Sequence, residues 1–241
     1  MMKCDPVTGA CLLPDQDQSG DAPAPAPRPG WAVRYVGDPM CSWCWGISPT
    51  VNAVEAFCEA EGVEFSITMG GLRAGGGDPW SPAFKDFLRN EWRHIAQTTG
   101  QPFSFALLEA PHFDYDTEPA CRAVAVVKLL QARDHLPSST ALKFFSAVQR
   151  KFYAEGQDPK LVDFYASVCA SLALDFEHFR AVFESPAAAQ AVQEEFARCR
   201  RWGVRSFPTL LLEQDGVAAP LAVGFVTAAQ VLARLRQAIA V

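Results

Sequence analysis

The stretch Asp38-Pro39-Met40-Cys41-Ser42-Trp43-Cys44-Trp45-Gly46 constrains this chain more than any other. It sets a C-x-x-C pair directly behind an apolar, strand-like run at 32–36 and at the head of a helical pattern reaching about Glu61. A second alternating run at 63–69 completes a β-α-β unit, whose parallel strands need the right-handed crossover that the helix provides. The same placement carries chemistry. A thiolate at a helix N-terminus is stabilised by unpaired backbone N–H groups and by the macrodipole, and the thiolate is the form that attacks disulfides. Cys44 follows one turn along the helix, close enough to close an intramolecular disulfide with Cys41. Thiol–disulfide exchange is therefore the expected chemistry.

The rest of the chain organises around that unit. Residues 1–30 read as a tail ending in a proline-rich linker, with Ala-Pro-Ala-Pro-Ala-Pro at 22–27. Residues 79–202 read as a helical insertion, with capping Ser or Asp before Pro at Ser81-Pro82, Asp158-Pro159 and Ser185-Pro186. Thr117 is expected to cap a helix to about Arg133, and Ser138 or Ser139 one to Ala154. Ser48-Pro49 predicts a kink or a fresh start with Ser48 as cap. After Gly203 come a β-hairpin, 209–213 and 217–224, turning at Gln214-Asp215-Gly216, and an amphipathic helix over about 227–240. Residues 31–78 and 203–241 thus form one α/β domain of order βαβ…ββα with a mixed sheet, interrupted by the insertion.

Composition removes several function classes. The net charge of −6 and pI near 5.2 disfavour a nucleic-acid partner. No apolar run approaches the roughly 20 residues of a membrane span. The segment before Gly30 has no apolar signal core, so a cytoplasmic location is expected, where structural disulfides are rare. The 8 cysteines then read as catalytic or buried rather than as a scaffold. His94, His112, His135 and His178 lack ligand spacing, and a zinc site from Cys4, Cys11, Cys41 and Cys44 is the weaker reading, so no metal is expected.

The second landmark is Ser206-Phe207-Pro208-Thr209-Leu210, which opens the hairpin. In a βαβ…ββα redox fold a cis-proline here would face the C-x-x-C pair and expose the backbone of Phe207 to an extended substrate. A trans proline heading an edge strand is the alternative. Asp38 reads either as a turn residue or as a buried proton acceptor for Cys44. Trp43 and Trp45 read as a collar for substrate or as packing against the insertion. Met69–Gly77 lacks the phosphate-loop fingerprints; its glycines suit a close backbone approach or a plain connection, with Arg73 free to meet a carboxylate. Cys58, Cys169 and Cys199 read as core thiols, and Cys121 as core or near the cleft. Cys4 and Cys11 bracket two turn signals and form a candidate auxiliary redox pair.

The element order, the Asp38–Gly46 and Ser206–Leu210 motifs, and Thr117-Glu118-Pro119-Ala120-Cys121-Arg122-Ala123 resemble the DsbA family, and within it the FrnE-like branch. The resemblance covers about residues 31–241 and implies a thioredoxin fold with a helical insertion. It implies an exposed nucleophile Cys41, a buried resolving Cys44 and a cis Pro208, with Ser42, Trp43, Phe207 and Pro208 binding substrate. The prototypical dipeptide between the cysteines contains His; here it is Ser42-Trp43, which removes cationic help to the thiolate and implies a less oxidising couple. A reductase or isomerase of protein or small-molecule disulfides is expected, with no resident cofactor beyond the Cys41–Cys44 disulfide, and glutathione as co-substrate. Two alternatives stand beside it. One is a glutathione-dependent isomerase or transferase like the 2-hydroxychromene-2-carboxylate isomerase and kappa relatives, which need no resolving thiol; the other is a non-enzymatic binding module.

Overall fold

The computed structural model describes residues 30–240, preceded by the backbone of two short strands, β1 (Lys3–Cys4) and β2 (Cys11–Leu12). These pair antiparallel with Cys4 opposite Cys11. The side chains of that pair and the expected proline-rich linker lie outside the described residues.

The sheet is built from β3 (Trp31–Gly37), β4 (Glu64–Met69), β5 (Thr209–Gln214) and β6 (Val217–Val223), in the order β4-β3-β5-β6. β3 and β4 run parallel, and β5 and β6 are antiparallel to their neighbours. The crossover consists of α1 (Ser42–Gly46) and α2 (Ser48–Glu61). The insertion carries α3 (Pro82–Thr99), α4 (Glu118–Arg133), α5 (Thr140–Tyr153), α6 (Ala166–Ser171), α7 (Phe176–Phe183) and α8 (Pro186–Arg201). α9 (Ala228–Ile239) closes the chain and packs on α2. The fold is thus a thioredoxin-type α/β sheet with a helical insertion between β4 and β5.

Local chemistry explains most element ends. Ser81, Ser185 and Thr227 each accept a hydrogen bond from the backbone N–H three residues on, Thr227 within a full capping box with Gln230. Asp215 and Gly216 both adopt positive φ, 51° and 82°, the conformation that a tight two-residue hairpin turn requires. Ser139 holds the cap position of α5 without a side-chain bond, and three other expected caps act otherwise. Ser48 accepts from the Gln101 amide (2.6 Å), and Ile47 occupies the cap because the helix continues through it. Thr117 turns its hydroxyl oxygen to the Arg73 N–H (3.1 Å). Asp158 accepts from the Lys160 N–H (2.9 Å), which closes a local turn, and helix begins only near Val162.

Among the described residues no strand neighbours the outer edge of β4, yet two of its backbone groups are occupied. The Met69 N–H donates to Glu195 Oε2 (3.0 Å) on α8, and Lys128 Nζ on α4 donates to the Ile67 carbonyl (2.6 Å). The two side chains also pair with each other at 2.5 Å. An ion pair from the insertion therefore occupies bonding positions that a fifth strand would take. Glu195→Ala is expected to lower the unfolding free energy by about 2–3 kcal/mol. Glu195→Gln keeps an acceptor for Met69 and should cost less; equal losses in urea titrations would refute this role.

Candidate active site

β3 ends at Gly37, and the chain turns through Asp38-Pro39-Met40 into α1. Asp38 makes that turn: its carbonyl accepts from Cys41 N–H (3.1 Å) and its Oδ1 from Met40 N–H (2.8 Å). Cys41 is the N-cap of α1 in extended conformation, with its carbonyl accepting from Trp45 N–H. Cys44 lies on the inward face one turn later, and both are free thiols.

β5 begins opposite this turn. Val36 pairs with Thr209, so the Phe207–Pro208 peptide, which is cis, meets the start of α1. The Cys41 thiol lies 3.8 Å from the Phe207 carbonyl oxygen, toward which it donates. Cys41 is only 5% exposed, less than the resemblance implies, because the loop before β5 lies across it. The Phe207 ring in turn lies over Gly70, where a Cβ would sit 2.1 Å from it; only glycine admits this approach. Gly70 also lines a cleft of about 440 Å³, together with Gly71, Asp116, Glu118, Phe196 and Arg200 among others.

The insertion supplies the site's far walls. Tyr115 and Tyr153 both donate to the Met40 carbonyl, at 2.9 and 2.5 Å. Trp45 is buried, stacks on Tyr153 and donates from Nε1 to the Pro102 carbonyl (3.0 Å), so it serves packing. Trp43 is half-buried between His94 and the exposed Phe225 at the mouth, and Ser42 beside it is half-buried. Arg73 is not free: it pairs with Asp78 and lies over the rings of Phe84 and Tyr115. Cys58, Cys169 and Cys199 are buried away from this turn. Among the described residues no cluster of His, Cys, Asp or Glu is arranged to hold a metal ion.

Burial dominates the electrostatics. The Cys44 thiol is pushed well above its ordinary value by desolvation and by its contact with Cys41, while Tyr35 works in the opposite direction. Asp38 is fully buried, which raises its carboxyl, but Thr117, Met40 N–H, Leu72 N–H (2.7 Å) and the Cys121 thiol (3.4 Å to Oδ2) all donate to it. Cys121 therefore belongs to the site rather than to a remote core. Asp38 acts as the hub of a turn, the first of its two sequence readings, and its carboxylate is buried as the second requires but turned to Met40, Leu72 and Cys121. Tyr35, Tyr115 and Tyr153 escaped the sequence analysis because their roles come from contacts far apart in the chain. Gln149, a buried amide among Phe145, Val148 and Phe152 on α5, left a legible signal as a polar residue on an apolar helix face.

The Asp38 shift fixes a sign. The unfolded carboxyl loses its proton first, near 3.8, so the folded state binds the extra proton above that pH. The stability of wild type minus that of Asp38→Asn should then fall as pH rises above 3.8, and level once the buried carboxyl ionises. A pH-independent difference in chemical denaturation would overturn this.

Comparison with known proteins agrees with the geometry. No curated protein matches the chain. A structure from Nitrosomonas europaea, provisionally assigned as a protein disulfide isomerase, is 29% identical, with TM-score 0.75 over 87% of this chain and 98% of that one. The cytosolic disulfide reductase DsbM of Pseudomonas aeruginosa is 26% identical, with TM-score 0.67 over 87% and 98%, and has also been determined with GSH. A 2-hydroxychromene-2-carboxylate isomerase, 16% identical with TM-score 0.58 over 87% and 94%, shares the fold. A family model for the DSBA-like thioredoxin domain matches residues 32–240, and the chain belongs to that family of thiol–disulfide oxidoreductases.

Proposed function

We propose that this protein is a cytoplasmic disulfide reductase or isomerase that works through Cys41 and Cys44 and exchanges electrons with glutathione. The observation that carries this is the meeting of the Cys41 thiol with the Phe207 carbonyl at 3.8 Å, with Cys44 beneath it on the same helical turn. Cys41 attacks one sulfur of a substrate disulfide and forms a mixed disulfide, releasing the first thiol. Cys44 then attacks Cys41 Sγ, closing the Cys41–Cys44 disulfide and releasing the second thiol. The dithiol is thereby oxidised by two electrons and the substrate reduced by two. Two molecules of glutathione return the dithiol and leave as glutathione disulfide.

The remaining parts fit this cycle. The cis peptide presents the Phe207 backbone to an extended segment flanking the attacked sulfur, with Pro208, Ser42 and Trp43 completing the contact surface. The cleft beyond Gly70 has the exposed Arg200 on its wall, suited to a peptide carboxylate. The Pseudomonas aeruginosa reductase, cytosolic and determined with GSH, supports both the location and the small-thiol partner. No helix among the described residues is long and apolar enough to cross a membrane. Cys4 and Cys11 stand opposite each other in the β1–β2 ladder, which supports an auxiliary exchanging pair.

Cys41→Ser should reduce turnover of a glutathione mixed-disulfide substrate to background. Cys44→Ser should still attack once and accumulate a one-to-one adduct at Cys41, visible by mass spectrometry without reductant. If Cys44→Ser instead keeps full turnover of a small electrophile while wild type reduces no disulfide, the isomerase or transferase reading replaces this one.

A further inference from the structure

Tyr35, Ser48, Ser146 and Gln149 line one internal cavity, between β3, α2 and α5. The Tyr35 hydroxyl, the Ser146 hydroxyl and both ends of the Gln149 amide are shielded from solvent and have no hydrogen-bond partner among the described residues. Buried polar atoms are nearly always paired, so this many unpaired around one cavity point to use rather than accident. The Tyr35 hydroxyl also lies against the Cys44 sulfur, short of hydrogen-bond geometry toward the thiol. Its ring packs edge-on against Phe145, with centroids 5.7 Å apart. Ser48 and Ser146 also line an outer cleft with Gln101 and Arg150 that opens to solvent.

We propose that Tyr35 is a catalytic residue of the resolving step, donating a hydrogen bond to the Cys44 thiolate as it forms. The inference rests on the exchange cycle proposed above. In that step Cys44 loses a proton and bonds to Cys41 Sγ, the Cys41–substrate bond breaks, and the departing thiolate takes up a proton. Burial opposes charge on Cys44, so the thiolate needs a donor within the protein. Asp38, the other ionisable group behind Cys44, reaches that thiol through its backbone, while its carboxylate is committed to Leu72, Met40, Thr117 and Cys121. Tyr35 is the side-chain donor left. With Cys41 tied up in the mixed disulfide, the titratable neighbours of Cys44 are Tyr35 and Asp38; Tyr115 and Tyr153 lie on the Cys41 side.

Tyr35→Phe keeps the ring and removes only the hydroxyl. Reduced protein is mixed with glutathione disulfide, quenched in acid, alkylated and resolved by mass spectrometry into the Cys41–glutathione adduct and the Cys41–Cys44 disulfide. In Tyr35→Phe the adduct should persist roughly tenfold longer than in wild type, with the pH profile of its decay moved upward. Adduct formation, followed in a Cys44→Ser background, should keep its rate, and thermal stability should not fall because an unpaired hydroxyl has gone. Unchanged decay and pH profile in Tyr35→Phe would overturn the role of Tyr35. Absence of any adduct in the Cys44→Ser background would instead overturn the exchange cycle.

Discussion

The register of β3 against β5 is the constraint from which the site follows. With Val36 opposite Thr209, the last residues of one strand and the first of its antiparallel neighbour end at the same level of the sheet. The turn carrying Asp38 and the cis-peptide loop carrying Phe207 must then share one small volume, and Cys41 is what the turn puts into it. A slip of one residue would send every side chain of β5 to the opposite face and turn the Phe207 carbonyl away from the sulfur. Leu210 and Leu211 are both buried, on opposite faces, so β5 is covered on both sides as it enters the sheet.

Given this geometry, exclusion of water sets the chemistry. Asp38, Cys44 and Tyr35 are all fully buried within the same few residues of chain, and burial penalises the charged form of each. The site offsets that penalty with donors rather than cations. Asp38 has two backbone N–H groups, a hydroxyl and a thiol, and Cys44 has the Asp38 backbone. An apolar ring, Trp43, stands where a cationic dipeptide residue would have stabilised the Cys41 thiolate.

Much of this was legible in the residues because it is local. A serine or threonine followed by a helical run specifies its own cap, as Ser81, Ser185 and Thr227 show, and Asp215-Gly216 specifies its own turn. Where local rules misled, a distant partner won. Ser48 gave its hydroxyl to Gln101, Thr117 to the Arg73 backbone, and Arg73 was held by Asp78 and two rings. The position of Cys121 beside Asp38 needed the packing of α4 against the loop after β4, which no spacing in the sequence encodes. Tyr115 and Tyr153 converge on one carbonyl from separate parts of the insertion for the same reason.

The insertion is therefore more than a cover. A four-stranded sheet with α1, α2 and α9 would leave the edge of β4 unpaired and the backs of Cys44 and Asp38 open to solvent. α4 and α8 close that edge with Lys128 and Glu195, and α4 brings Cys121 against the carboxylate. α5 lays Phe145, Gln149 and Tyr153 at successive turns along one face, from the Tyr35 ring to the Met40 carbonyl. Each of these contacts removes water from the sheet edge or from the turn that carries the two cysteines. In return it supplies a hydrogen-bonding atom fixed in position by a helix. The same helices that stabilise the sheet thus also wall the buried turn that carries Asp38, Cys41 and Cys44, through Cys121 on α4 and Tyr153 on α5.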